Sequence, residues 1–422
     1  MEIRLKRNDF LGELAPMQGI VERKTTIPVL SHILLDAKDS LHLAATDLDV
    51  SLTSRCEAEI KEGGAIAVQA KKLIEIIRSL SASEVLLVQE EPRVLSIRAG
   101  SSRFKIHGLA ADDFPTLPTL PAGSGSPSGI EIPFADFRRM VAKILFAVSA
   151  EESRFQLNGA LFKVKDGSLE IVATDGHRLA LVEKREQGLR NGTGEESVLV
   201  PRKALQELQR LEGDSPASML EFRRGEHHLS FRLGRRELIC RILEGTFPDY
   251  ERVIAKDNDK KVLFDRKTLA EAVQRAALMT SDRARAVRLQ FSSRQLVISA
   301  VNADLGEAVE EVACEYEGPE FRLGINPDYL SQFLAAVETD RVRLELKDEN
   351  TQCVGYPQDP PVVGTNAEAG ADGADVADAP KGAGSADPAD GATASSGAPA
   401  EGNARGAAAN GRYLCVIMPM RI

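Results

Sequence analysis

"ATDGHRLAL", Ala173 to Leu181, decides the fold because it is not unique in the chain. "AATDLDVSL" stands at 44–52, 128 residues earlier, and "AVNADLGEAV" at 300–309 is a fainter third copy. Each follows a pair of alternating apolar runs that read as a hairpin. A second marker, a strand running into a helix, appears as "IAVQAKKLIEIIRSL" from 66, "VLVPRKALQELQRL" from 198 and "FRLGINPDYLSQFLAAV" from 321. A third, "ADDFPTLP" at 111–118, returns as "GTFPDYERV" at 245–253. Markers that recur in one order identify a chain of repeats.

Every copy also opens on a helical pattern. In "ADFRRMVAKILFAVS" the residues Phe137, Met140, Val141, Ile144, Leu145 and Val148 fall on one stripe, with Arg138, Arg139 and Lys143 off it. Its counterparts are "NDFLGELAPMQGIVER", where Pro16 is expected to kink the helix, and "RKTLAEAVQRAALM". The spacing predicts an α+β fold of three repeated domains, each with two helices on antiparallel sheets and a closing hairpin such as "RVLSIRAGSSRFKIHGL" at 93–109. The expected boundaries are 1–122, 129–254 and 255–422, with a linker at 123–128 inside "PAGSGSPSG".

The third copy is too long for its pattern. Residues 356–411 are nearly all Ala, Gly, Pro, Asp and Ser, with eight acids against Lys381 and Arg405. Such a stretch buries too little apolar surface to offset its ordering entropy, so it is expected to be a disordered insert in the last hairpin, projecting from the face that carries "VIMPMRI".

The bulk composition excludes several classes. The 422 residues exceed what one core supports, and 43% hydrophobic with 27% charged is ordinary for a globular chain. Cys56, Cys240, Cys314, Cys353 and Cys415 are odd in number and form no CxxC pair, so neither a disulfide framework nor a zinc site is expected. No run reaches the roughly 20 apolar residues of a membrane span, and a cytoplasmic protein without metal or cofactor is expected. Phosphate-loop, GxSxG and HExxH signatures are absent, as are zinc-finger and helix-turn-helix patterns.

Charge is unevenly placed. Segments 8–24, 70–80, 136–148, 201–211, 266–285 and 326–337, which hold the predicted helices, carry 16 Lys and Arg against 9 Asp and Glu inside a chain of net −10. Helices lining one side would then make a basic surface that tracks phosphates without reading bases. Lys71, Arg78, Arg138, Arg139, Lys143, Arg202, Lys203, Arg210 and Arg275 are its candidate residues. In "TDGHR", Asp175 and His177 suggest a hydrolase only if a nucleophile exists, and none stands in a diagnostic context. The competing reading is an Asp-Gly turn that presents His177 and Arg178 at a pocket.

Three α+β repeats, "ATDGHRLA", "FPDY" and a terminal "VIMPMRI" together resemble the bacterial β sliding clamps, the processivity subunits of DNA polymerase III. The resemblance covers the chain outside 356–411. It implies a non-catalytic, head-to-tail homodimeric ring around duplex DNA. It also implies a pocket for short linear peptides of the polymerase III α subunit, the clamp loader δ subunit, other polymerases and repair proteins. Matching pocket positions are Leu157, Thr174, Gly176, His177, Arg178, Leu179, Pro248, Arg252, Val253, Asn326, Tyr329, Val416, Ile417, Met418, Pro419, Met420 and Arg421. Two adaptable Met side chains among apolar walls suit many related peptides, with Arg and His at the mouth for a polar group. DNA positions carried over are Lys24 and Arg154. For the dimer interface they are Phe104, Ile106, Leu278 and Met279, with Lys72, Arg98, Arg103 and Lys105 facing Glu307, Glu310 and Glu311.

Overall fold

The computed structural model describes residues 1–22, 24–120, 130–151, 153–165, 167–185, 196–281, 285–359 and 411–421. The expected linker 123–128 and the bulk of the expected insert lie outside them.

The first repeat runs β1 (Glu2–Lys6), α1 (Arg7–Ile20), β2 (His32–Ala37), β3 (Leu41–Thr46), β4 (Val50–Cys56), β5 (Glu59–Glu62), β6 (Gly64–Gln69), α2 (Ala70–Ser79), β7 (Glu84–Glu91), β8 (Val94–Ala99) and β9 (Ser102–Ala110). The second runs β10 (Ile130–Pro133), α3 (Phe134–Ile144), β11 (Gly159–Lys165), β12 (Ser168–Thr174), β13 (Arg178–Arg185), β14 (Glu196–Pro201), α4 (Arg202–Arg210), β15 (Met219–Arg224), β16 (His228–Leu233) and β17 (Arg236–Arg241). The third runs β18 (Lys260–Asp265), α5 (Arg266–Ala277), β19 (Val287–Ser292), β20 (Gln295–Asn302), β21 (Gly306–Ala313), β22 (Phe321–Ile325), α6 (Pro327–Ala336), β23 (Arg341–Leu346), β24 (Cys353–Gln358) and β25 (Gly411–Ile417).

Each repeat folds its strands into two antiparallel sets. One set is ordered β4-β3-β2-β6, then β13-β12-β11-β14, then β21-β20-β19-β22 in the successive copies. The other is β9-β8-β7-β1, then β17-β16-β15-β10, then β25-β24-β23-β18. Alternation along a strand sends one side chain in two to the core, as in β2 with Ile33, Leu35 and Ala37 buried. The helices bury the stripes that the spacing predicts: Leu73, Ile74 and Ile77 on α2, and Phe137, Met140, Val141 and Ile144 on α3. Lys71, Glu75 and Arg78 are left exposed on α2. The first helix continues through Pro16 to Ile20.

Two seams join the repeats. At the first seam β4 pairs with β17, Leu52 opposite Leu238. At the second β13 pairs with β25 over seven positions, Arg178 opposite Ile417 through Lys184 opposite Gly411. Helices follow the seams: α2 touches α1, α1 touches α4, α4 touches α3, α3 touches α6 and α6 touches α5, one continuous row.

The expected insert is shorter than its composition suggested. Tyr356, Pro357 and Gln358 belong to β24 and pair with β23, and Gly411 opens β25. Pro357 is tolerated because the ladder between β24 and β25 covers only Cys353 to Gly355, so its missing N–H breaks no bond on that side. Where the insert projects lies outside the described residues; the strand ends that flank it, Gln358 and Gly411, stand at the end of the hairpin opposite "VIMPMRI", about 20 Å along β25.

Candidate functional site

The turn after β12 is built by Asp175. Its Oδ1 accepts the backbone N–H of His177 at 2.9 Å and of Arg178 at 3.0 Å, and Gly176 takes φ +88°. Glycine alone adopts that conformation without cost. The other carboxylate oxygen takes Arg178 Nε at 3.1 Å. Asp175 is thus engaged by the turn and by Arg178, and nothing supports the hydrolase reading. The His177 ring lies instead over Tyr329, centroids 6.5 Å apart.

Several predicted pocket positions converge here. Met418 N–H donates to the His177 carbonyl at 2.9 Å, and Met420 N–H to Gly324 at 2.8 Å, so the terminal segment is strapped between second and third repeats. Val416 pairs with Leu179 on the neighbouring strand. Met418, Pro419 and Met420 are half-buried, while Gly176, His177, Pro248, Arg252 and Arg421 are exposed at the rim. Arg178 departs from the expectation of a free cation at the mouth. Its side chain is only 10% exposed and its donors go to Asp175, the Phe146 carbonyl and Gln332.

An apolar floor lies beneath. Val172, Leu179, Leu181, Tyr250, Ile254, Val354, Leu414 and Val416 form one buried cluster, with Phe247, Val253 and Tyr356 packed against it. Of these, Val172, Leu181, Phe247, Tyr250, Ile254, Val354, Tyr356 and Leu414 were not singled out in the sequence. "FPDY" was a signal for Phe247 and Tyr250, but Val354 reaches the cluster only through its pairing with Val416 across the interrupted hairpin. Tyr250 donates to Glu170, whose carboxyl is pushed above its ordinary value by burial despite that bond.

The first seam lacks the apolar cluster that the second carries. Ala44, Ser51 and Thr53 stand at the repeat positions of Val172, Leu179 and Leu181, so the large apolar side chains are missing there. A groove of about 770 Å³ does follow the first seam, but Lys38, Arg55, Arg232 and Arg235 line it beside Leu34 and Leu117.

Two strands lack the partner that their counterparts have. β4 and β13 are each paired across a seam, whereas among the described residues β21 ends its sheet with no strand beyond it. β17 and β25 are likewise paired, whereas β9 touches β6 only at Gly108, Leu109 and Ala110, leaving 102–107 open. Around β21 stand exposed Leu278, Val301, Leu305 and Val309, with Met279 half-buried. Phe104 and Ile106 are half-buried on β9. The charges expected to face one another are occupied within the chain. Glu90 holds Arg98 at 2.9 Å and Lys105 at 2.5 Å, and these cations keep its carboxyl below the usual range. Arg275 grips Glu310 with two bonds of 2.9 and 2.6 Å, Gln295 reaches Glu311 at 2.9 Å, and Lys72 pairs with Glu75 at 2.9 Å. Arg103 and Glu307 are exposed.

The basic helices are less free than their sequence suggests. Lys143 pairs with Glu338 at 2.9 Å, Lys203 with Asp47, Arg139 with Asp136 and Arg210 with Glu207. Arg202 is half-buried, and Arg275 belongs to the β21 edge through Glu310. Lys24, Lys71, Arg78 and Arg138 are exposed. Arg154 lies by the pocket turn, its guanidinium 3.1 Å from the Asp175 carbonyl. Among the described residues no His, Cys, Asp and Glu cluster has metal-binding geometry, all five cysteines are free and buried, and no helix is long and apolar enough to cross a membrane.

Three family matches cover the chain in order: DNA polymerase III beta subunit N-terminal domain over residues 1–118, central domain over 131–249 and C-terminal domain over 251–361. The beta sliding clamp of Pseudomonas putida is 38% identical over 359 residues, spanning 84% of this chain and 95% of that protein. That of Escherichia coli K12 is 33% identical over 352 residues, 82% of this chain and 93% of that one. The crystal structure of the Pseudomonas aeruginosa DNA polymerase III subunit beta superposes with a TM-score of 0.81 at 32% identity, covering 100% of both chains. A P. aeruginosa sliding clamp bound to griselimycin gives 0.82 at 32%, again over 100% of both chains.

Proposed function

The chain belongs to the DNA polymerase III beta subunit family, the sliding clamps, and from that premise we propose how this sequence makes one. Two copies close head to tail, β21 of each pairing with β9 of the other, so that a third kind of seam repeats the two inside the chain. The observation that carries this is the pair of open edges at the only repeat positions where an internal seam is missing among the described residues. A heterologous contact of this kind either closes or polymerises, and closure after two copies gives six repeats and twelve helices around a channel. Edge pairing would also cover strands that otherwise invite aggregation.

The channel holds duplex DNA through its phosphates, with the exposed Lys24, Lys71, Arg78 and Arg138 among its candidate cations. The ring moves along DNA while the second seam holds linear peptides of the polymerase, the clamp loader and repair proteins. The apolar cluster supports this role: it is buried beneath the turn, with His177, Arg252 and Arg421 exposed beside it. The protein does no chemistry of its own and works in the cytoplasm. Units 1–122, 129–254 and 255–422 are its three clamp domains.

Leu278 tests the ring. It is 75% exposed, so Leu278→Lys costs the folded single chain little. At a closed seam the same change buries an unpaired charge, which is strongly unfavourable. Solution scattering should show a dimer for the unmodified protein and a folded monomer for the variant. An unmodified protein that is monomeric, or a variant that stays dimeric, contradicts the proposal.

A further inference from the structure

We propose that Gln332, on α6 and outside the pocket wall, is a positioning residue that sets peptide affinity by holding Arg178. The inference rests on the pocket reading above and concerns what fixes the shape of that pocket.

Arg178 is a junction, not a free hand. A guanidinium has five N–H donors in a rigid plane and no acceptor. Here Nε goes to Asp175 at 3.1 Å, one terminal nitrogen to the Phe146 carbonyl and the other to Gln332 Oε1. Its Cζ lies 4.4 Å from the Tyr329 ring centroid and 5.1 Å from that of Phe146. With the side chain 10% exposed, little of it faces an incoming peptide.

The main chain of Arg178 is part of the pocket. Its carbonyl accepts from Thr174 Oγ1, it pairs with Ile417, and the His177 carbonyl beside it anchors Met418. Movement of Arg178 therefore moves Thr174, His177 and the terminal segment together. Three of the groups that hold it are parts of the turn, a backbone carbonyl and an aromatic wall. Gln332 is the fourth, and it is an exposed side chain whose loss removes no core contact. It also comes from the third repeat, so it ties the pocket turn to the helix row across the second seam.

The test is a titration of the intact protein with a synthetic peptide carrying a Gln and a Leu-Phe pair. Gln332→Ala should weaken binding about fivefold, a charge-assisted bond discounted for exposure, with no change in thermal midpoint. Gln332→Glu keeps an acceptor and should bind like the unmodified protein, whereas Gln332→Lys repels the guanidinium and should bind least. In an Arg178→Lys background, whose single ammonium nitrogen cannot reproduce the planar fork that spans Asp175, the Phe146 carbonyl and Gln332, Gln332→Ala should have no further effect. Unchanged affinity in Gln332→Ala, or the same loss with and without Arg178, overturns the proposal. If the unmodified protein does not bind the peptide at all, the pocket reading itself fails and takes the proposal with it.

Discussion

Asp175 shows how one residue type supports two readings until geometry chooses. Beside His177 it suggested chemistry; beside Gly176 it suggested a turn, and the backbone N–H groups of His177 and Arg178 decide for the turn. The same Thr-Asp start recurs in the first repeat, where Asp47 accepts from Asp49 and Val50 and Leu48 takes the φ of +82° that glycine takes in the second. Glu170 offers a measurable consequence. Burial raises its carboxyl above the ordinary 4.5, so the folded state favours the protonated form. The sign follows: its stabilising contribution is complete below pH 4.5 and is lost as pH rises through the folded value. Glu170→Gln keeps an acceptor for Tyr250 without the charge. Melting curves of variant and parent should coincide in acid and separate above pH 4.5, the variant becoming the more stable. A variant that is less stable at neutral pH would show that ionised Glu170 is satisfied where it sits. The turn and the terminal "VIMPMRI" were legible because both are local. Val354, Phe146 and Gln332 were not, since pairing and helix contacts far apart in sequence bring them in.

Strands and helices followed the spacing of apolar residues closely, because a two-residue or 3.6-residue period needs only one buried face. Seams did not, since edge pairing depends on what another repeat presents. The first seam carries a buried lock: Arg236 on β17 reaches Glu13 on α1 with bonds of 2.8 and 2.7 Å, their side chains 9% and 4% exposed. Ser54 donates to the same carboxylate. Nothing in the sequence linked residues 223 apart. Removing one partner leaves a buried charge alone, so Glu13→Ala should cost about 3–5 kcal/mol. Denaturant unfolding measures it, and a loss under 1 kcal/mol would mean that Arg236 finds water or Asp214 instead. The interrupted hairpin is the other case. Composition placed Tyr356 to Gln358 in the expected insert, but pairing with β23 carries β24 on to Gln358.

At the scale of the molecule, the net charge of −10 and the basic bias of the helix segments point in opposite directions. A chain of −10 with basic helix segments is compatible with a ring lined by helices, yet ion pairs such as Lys203 with Asp47 and Lys143 with Glu338 reduce the number of cations left for phosphates. Such a surface would bind DNA weakly and lose it in salt, with a slope of about −0.9 per neutralised phosphate. A closed ring does not depend on that affinity, because topology holds it. Retention on DNA after loading separates the two directly: protein placed on closed circular duplex should survive a high-salt wash and leave when the circle is cut once. Equal loss from circular and linear DNA in high salt would contradict the ring.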